Sequence, residues 1–428
     1  VSWALGVFVG LLVVGVPIGL VMVVSGLVGA VSIGGLGYLE IVADRFFSGV
    51  SGFVLIAVPY FVFTAEIMNR SGLTERMVAF ANSLFGKLPG ALSHVNIVVS
   101  VFFAGITGAA VTDTVAIGKT LIPTMKREGY GAAYSAAVTA CSSIIGPIIP
   151  PSVIMIVYAT TLRDISVLQL FAAGIVPGLL MAAALLVASG WVSWRRGYAG
   201  HEEIRIRRIL VTGIATLPAF GIPIIIVGGI LGGLTTLTEA GALGAAYSLA
   251  LGLFAYRSLD RAALREALVN TVSFSGVVFL LLGASTVLGW AVTRSGVARE
   301  AAEAIRLVST DPVVQILVVD LLLIALGMVI DVLPAVVVAA PVLAPAMVSL
   351  GFDPLHFGMV MLLALNLGNI TPPVGMTLMT ATRIAEVPYE AVIKESAPFL
   401  ASHLVVIVLA SLSPALVLWF PRLIGAIA

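Results

Sequence analysis

Long apolar stretches, broken at a few places by proline, glycine and isolated charges, run the length of this 428-residue chain. Residues 3–31, 168–192, 209–231 and 398–420 are mostly apolar, and each exceeds the roughly 20 residues a helix needs to cross a hydrocarbon core about 30 Å thick. With the shorter runs, the pattern predicts an all-α integral membrane protein of roughly ten spans. The run from Trp3 is too long for the apolar core of a cleavable signal peptide, and none is expected.

The helix-breaking residues recur. At an offset of 222, Pro123, Met125, Gly129, Tyr130, Gly146, Pro150, Pro151, Ala159 and Thr160 fall on Pro345, Met347, Gly351, Phe352, Gly368, Pro372, Pro373, Ala381 and Thr382. At an offset of 224, Ser51, Gly52, Arg70, Ser71 and Gly72 fall on Ser275, Gly276, Arg294, Ser295 and Gly296. A fainter match pairs Gly15, Pro17 and Ile18 with Gly221, Pro223 and Ile224. Shared hydrophobicity aligns Leu with Val, but it does not align prolines and glycines. The chain therefore reads as two repeats, 1–205 and 206–428. An odd number of crossings per repeat makes them inverted, the plan of many secondary transporters; parallel repeats are the alternative.

Each repeat carries two kinds of interruption. In the first, apolar arms at about 91–104 and 109–122 flank Gly105, Ile106, Thr107 and Gly108. At 1.5 Å per residue an arm of roughly 14 residues reaches about 21 Å, too short to cross, so a re-entrant hairpin over about 91–123 is predicted. Its counterpart spans about 313–347, interrupted by Gly327, Met328, Asp331 and Pro334. The next element of each repeat, about 131–161 and 355–382, holds Gly146-Pro-Ile-Ile-Pro-Pro151 and Gly368-Asn-Ile-Thr-Pro-Pro373. Proline offers no N–H to the carbonyl four residues back, so the carbonyls of Gly146, Pro147, Gly368 and Asn369 are expected to be freed. Irregular backbone at membrane depth survives where it is buried in protein or lines a cavity. The alternative is that these prolines only kink packed helices.

Freed carbonyls and nearby side-chain oxygens are hard ligands that suit sodium. The set comprises Gly105, Thr107, Gly108, Thr112, Gly146, Pro147, Gly327, Asp331, Asn366, Gly368 and Asn369. Helices restarting after Pro151 and Pro373 present free N–H groups and a positive dipole end, which favour an anion such as a carboxylate. Pro150, Pro151, Ser152, Thr371, Pro372, Pro373 and Gly375 are the corresponding substrate-binding candidates. Asp331 interrupts an uncharged run, and charge at such depth is costly and functional by default. Asp113 stands beside the first tip as a further substrate-site candidate, or as the partner of Lys119 on a solvated hairpin face.

Composition narrows the chemistry. Sixty per cent of residues are hydrophobic and 10 % charged, with a mean hydropathy of +1.16. A net charge of +1 argues against a nucleic-acid partner. One cysteine, Cys141, excludes an intrachain disulfide, and His94, His201, His356 and His403 lack metal-ligand spacing. No organic cofactor and no metal beyond sodium is expected. Trp3, Trp191, Trp194, Trp290 and Trp419 flank apolar runs, as membrane-interface residues do. Arg195, Arg196, Arg205, Arg207 and Arg208 form the densest basic segment, and the positive-inside rule puts it in the cytoplasm. Asp113 to Thr120 mimics a phosphate-binding loop but has Asp113 in place of the first glycine and no preceding strand. Gly6 with Gly10, Gly15 with Gly19, and Gly228 with Gly232 are spaced for close helix packing. No His-Glu-x-x-His or Gly-x-Ser-x-Gly motif is present, and an enzyme is not expected.

The breaks themselves are recognisable. Phe103 to Gly118, Ile122-Pro-Thr-Met125, Gly146-Pro-Ile-Ile-Pro-Pro-Ser152 and Thr371-Pro-Pro-Val-Gly375, with the stretch from Leu326 through Asp331 to Pro345, resemble the large membrane subunit of tripartite ATP-independent periplasmic (TRAP) transporters. The resemblance covers essentially the whole chain. Lys119 stands where a small or hydroxyl residue is usual, and Ala109 and Ala110 where serine is frequent. The resemblance implies an elevator-type secondary transporter of the bacterial inner membrane, driven by a sodium gradient, with hairpins and broken helices moving against a scaffold. It also implies a soluble periplasmic binding protein that delivers an organic acid, and a small four-helix membrane subunit, expected as a separate chain. A sodium/carboxylate symporter without a binding protein is the alternative, ahead of a channel or a membrane enzyme.

Overall fold

The computed structural model describes residues 2–86, 88–162, 165–198 and 206–427, the side chains of residues 2, 5 and 105–107 excepted. Among the described residues every regular element is helical. The first half contains α1 (Ser2–Val13), α2 (Ile18–Gly34), α3 (Leu39–Val50), α4 (Ala57–Arg70), α5 (Leu73–Phe85), α6 (Ala91–Thr107), α7 (Ala110–Arg127), α8 (Ala132–Ser143), α9 (Val153–Thr161) and α10 (Val167–Arg196). The second contains α11 (Ile206–Pro223), α12 (Gly229–Leu231), α13 (Leu237–Ala250), α14 (Arg261–Ser295), α15 (Val297–Val308), α16 (Pro312–Gly327), α17 (Val332–Ser349), α18 (Pro354–Gly368), α19 (Met376–Ala385), α20 (Tyr389–Leu412) and α21 (Pro414–Leu423).

Among the described residues seven helices are long and apolar enough to cross a bilayer, counting 206–231 and 237–255 as one each, or eight if the bent pair α15 and α16 is one span; α2, residues 91–104 of α6, and α18 are shorter apolar helices. The expected ten spans therefore include pieces too short to cross alone. Two long runs are also divided. The run 3–31 splits where Gly15 turns at φ +87° and Pro17 caps α2, so α1 folds back onto α2. The run 398–420 ends at Leu412, and Pro414, lacking an N–H to extend the ladder, opens α21.

Two packing groups result. Around the 35-residue α14, α2, α3 and α4 form a frame, with α13 on α4 and α11 on α5. The inner group is built on α8 and α18. Tyr134–Ser143 and Leu355–Gly368 are buried without interruption, as expected of helices enclosed on all sides. Arms α6 and α7 both pack on α8, and arms α16 and α17 both pack on α18. The polar residues of α8 are paired: Asn96 Nδ2 donates to Thr139 Oγ1 at 2.7 Å, and Ser142 Oγ donates to Asn96 Oδ1 at 2.9 Å. Outside, Trp3, Trp191, Trp194 and Trp419 are exposed. At one end of α10, Arg196 bonds Glu395 at 2.7 Å and Arg195 lies over the Trp191 ring; Arg205 falls outside the described residues.

Candidate functional site

The helices are broken at four places; α6 stays helical through Thr107, and Pro334, expected in the second tip, lies in the first turn of α17. Arms α6 and α7 meet at Gly108, which turns at φ +60°, and Ala109 is extended before α7 begins. Arms α16 and α17 are separated by residues 328–331. The broken helices leave residues 144–152 between α8 and α9, and 369–375 between α18 and α19.

All four breaks border one cavity of about 270 Å³. The first tip contributes Gly108–Thr112, the first broken helix Pro147, Val153 and Ile154, the second tip Asp331–Leu333, and the second broken helix Asn369 and Met376. Phe274 of α14 closes it from the frame. The first turns of α7, α9, α17 and α19 therefore all face this space. The positive dipole end of each helix is thus directed toward it.

Close backbone approach fixes the geometry. A Cβ on Gly108 would lie 2.9 Å from the Pro151 carbonyl oxygen, so the first tip rests directly on the first broken helix. A Cβ on Gly368 would lie 2.6 Å from Gly327 Cα, so in the second half the end of α16 rests on the end of α18. Asp331 precedes α17 without capping it; instead its Oδ1 accepts from Asn369 Nδ2 at 3.1 Å. A second bond crosses the same gap, from the Gly375 N–H to the Met328 carbonyl at 3.3 Å.

Several oxygens near this junction are buried without a hydrogen-bond donor among the described residues: Asn366 Oδ1, Asn369 Oδ1 and Thr377 Oγ1. Such groups are costly unless a ligand or water satisfies them, and buried amide and hydroxyl oxygens, like the Asp331 carboxylate that Asn369 bonds, are of the type a hard cation takes. Asn366 Nδ2 is already engaged with the Leu362 carbonyl at 2.9 Å, which turns its oxygen away from that bond.

Of the residues anticipated from sequence, Gly108, Thr112, Pro147, Asp331 and Asn369 line the cavity. Gly146, Asn366, Gly327, Gly368 and Gly375 are buried but not on its wall, while the side-chain positions of Gly105 and Thr107 lie outside the described ones. Asp113 is buried against Gly146 rather than on the cavity wall. The Ser152 hydroxyl caps α9 by accepting from Met155 N–H, and the Thr371 hydroxyl donates to the Leu367 carbonyl. Pro150 and Pro151 are buried, Pro372 is half-buried and Pro373 exposed, and none of the four touches the cavity. The carbonyls of Gly368 and Asn369, expected to be freed, accept from Thr371 N–H and Thr377 N–H. Phe274 and Thr377 were not anticipated. Phe274 directly precedes Ser275-Gly276, the pair repeated from Ser51-Gly52, and that duplication was its signal.

This architecture defines a multi-pass membrane transport protein. Over residues 5–416 the chain matches the family described as tripartite ATP-independent periplasmic transporter, DctM component. It is 35 % identical over 416 residues to the sialic acid TRAP transporter large permease protein SiaM of Vibrio cholerae, covering 97 % of each chain. It is 35 % identical over 416 residues to the isethionate TRAP transporter permease protein DctMQ of Oleidesulfovibrio alaskensis, covering 97 % of this chain and 65 % of that longer one. The YdaH transporter of Alcanivorax borkumensis shares the fold, with a TM-score of 0.58 over 88 % of each chain at 16 % identity. The chain belongs to the DctM family, the large permease component of TRAP transporters. It is a permease of the inner membrane, not an enzyme, and serves solute uptake with a periplasmic binding protein.

Proposed function

We propose that the chain carries a small organic acid into the cell together with sodium, holding both at the cavity where the four breaks meet. The observation that carries this is the convergence of four helix N-termini on one space beside an acid-lined cluster of unsatisfied oxygens. The N-termini favour a carboxylate or sulfonate; Asp331, Asn366, Asn369 and Thr377 favour sodium. The relatives' named substrates, sialic acid and isethionate, are both acids.

The acid and the cation neutralise each other only when both are present, which couples them. A carboxylate held by dipoles beside Asp331 is repelled by it, and a bound sodium removes that repulsion. Alternating exposure is assigned to an elevator motion of the inner group against the frame, with the repeats inverted. The matching order of elements in the two halves supports it: paired arms, broken helix, long helix. A periplasmic binding protein and a small four-helix subunit complete the transporter. Uptake of labelled acid into proteoliposomes containing the assembled complex tests the proposal. Accumulation should require both an inward sodium gradient and the binding protein; accumulation without either would refute it.

A further inference from the structure

Two further polar cavities lie between the frame and the inner group. One, of about 490 Å³, shares Val111 and Thr112 with the central cavity and is bordered by Glu66, Asn69, Arg70 and Lys119. The other, of about 380 Å³, lies between α3 and α14 on the frame side and the end of α9 with α17 on the inner side. They are related by the repeat: Glu66 and Asn69, advanced by 224, and Lys119, advanced by 222, fall on Trp290, Thr293 and Pro341, all of which border the second cavity.

Their chemistry differs sharply. The first holds both signs of charge, and Glu66 is engaged by Arg70 and by Asn270 Nδ2. Among the described residues the second has one charged side chain, Arg45, with the hydroxyls of Ser48, Thr160, Thr161, Ser285, Thr286 and Thr293. Among the described residues Arg45 forms no ion pair. The Arg45 side chain is exposed, and its backbone is anchored where Thr286 Oγ1 donates to the Arg45 carbonyl at 2.8 Å and ties α3 to α14.

The cavity also has a definite place along the membrane normal. Following α9, which ends at Thr161, the chain passes through the 30-residue α10, about 45 Å long, before reaching Arg195 and Arg196. The Arg45 cavity thus lies at the end opposite the basic segment, which the positive-inside rule places in the cytoplasm. From the central cavity to this one, the lining moves eight residues along two helices together, from Phe274 to Leu282 on α14 and from Leu333 to Pro341 on α17, about 12 Å.

We propose that the Arg45 cavity is an outward-side reception site for a hydroxylated organic anion, in which the guanidinium engages the acid group and the threonine and serine hydroxyls engage the polar remainder before transfer to the central cavity. A guanidinium presents a planar donor fork matched to carboxylate or sulfonate, and a cation in a cleft whose described lining holds no acid raises the local concentration of anions. The site rests on the reading of the cargo as an organic acid and adds to it a residue on the frame rather than on the moving elements.

The native cysteine, Cys141, is buried, so a cysteine introduced by Thr293→Cys reports on this cavity alone. Labelling in the assembled complex would use two membrane-impermeant reagents, the anionic 2-sulfonatoethyl and the cationic 2-trimethylammonioethyl methanethiosulfonate. The expected result is labelling from the periplasmic side, with an anion-to-cation rate ratio that falls about fivefold when Arg45→Gln is added and is retained with Arg45→Lys. In uptake assays Arg45→Gln should raise KM for the acid with little change in kcat. A ratio indifferent to Arg45, labelling only from the cytoplasmic side, or equal losses of kcat in the Gln and Lys variants would overturn the site. Failure of the complex to take up any organic acid would instead sink the transport proposal, because the labelling ratio does not depend on a substrate.

Discussion

Asn369 Nδ2 donates to Asp331 Oδ1 at 3.1 Å and so joins the second broken helix to the second hairpin tip, 38 residues away in sequence. Neither residue spends this contact on its own helix. Asp331 leaves α17 uncapped, and the Asn369 side-chain oxygen points to no donor among the described residues.

Replacing Asp331 with alanine removes the only formal charge on the cavity wall among the described residues. A charged hydrogen-bonding partner is worth about 1.5–3 kcal/mol, so the sodium concentration for half-maximal uptake should rise about tenfold or more, with insertion into the membrane unchanged. Titrating uptake against sodium in proteoliposomes checks this; an unaltered sodium curve would remove Asp331 from the site.

Thr377 Oγ1 is fully buried and has no hydrogen-bond partner among the described residues. If the oxygen serves only packing, Thr377→Val should be neutral or mildly stabilising, because it deletes an unsatisfied polar group of nearly the same shape. As a cation ligand, its loss should weaken sodium dependence several-fold while thermal stability without sodium holds or improves. Melting curves with and without sodium separate these outcomes.

Gly368 permits backbone contact with Gly327, and a methyl group there would meet the Ile324 carbonyl oxygen at 2.5 Å. Overpacking of this kind costs about 1–3 kcal/mol. Gly368→Ala should lower the thermal midpoint of the purified complex and reduce uptake together, whereas a midpoint equal to wild type would show that α16 and α18 can separate freely.

Ser152 lies in the first broken helix but is occupied in capping α9. Ser152→Ala should cost about 0.5–2 kcal/mol of stability and leave KM for the acid near its wild-type value. A large KM increase in a stable variant would return the hydroxyl to the binding surface.

The interruptions were legible in the sequence because their causes are local. Proline lacks a donor and glycine alone turns readily at Gly108, so the broken elements could be placed from residue type. The duplication made those signals stand out from packing kinks. That both tips and both broken helices share one protein-lined site was expected from their need for burial. What could not be read was which neighbours tertiary approach would bring there: nothing in the arms revealed that Phe274 of α14 borders the same cavity as Ala110, Val153, Val332 and Met376. The run 3–31 looked continuous because Gly15 and Pro17 interrupt its backbone without lowering its hydrophobicity. The prolines marked the breaks correctly, yet the cavity is lined by their neighbours, since Thr371 and Thr377 supply the N–H groups that Pro372 and Pro373 lack.

A density map of the complex bound to sodium and its transported acid addresses the binding cavity most directly. The acid should occupy the space between Ala109, Ala110, Val153 and Met376, with an ion beside Asp331 and Asn369. Acid density elsewhere in the inner group, with that space filled only by water, would contradict the assignment.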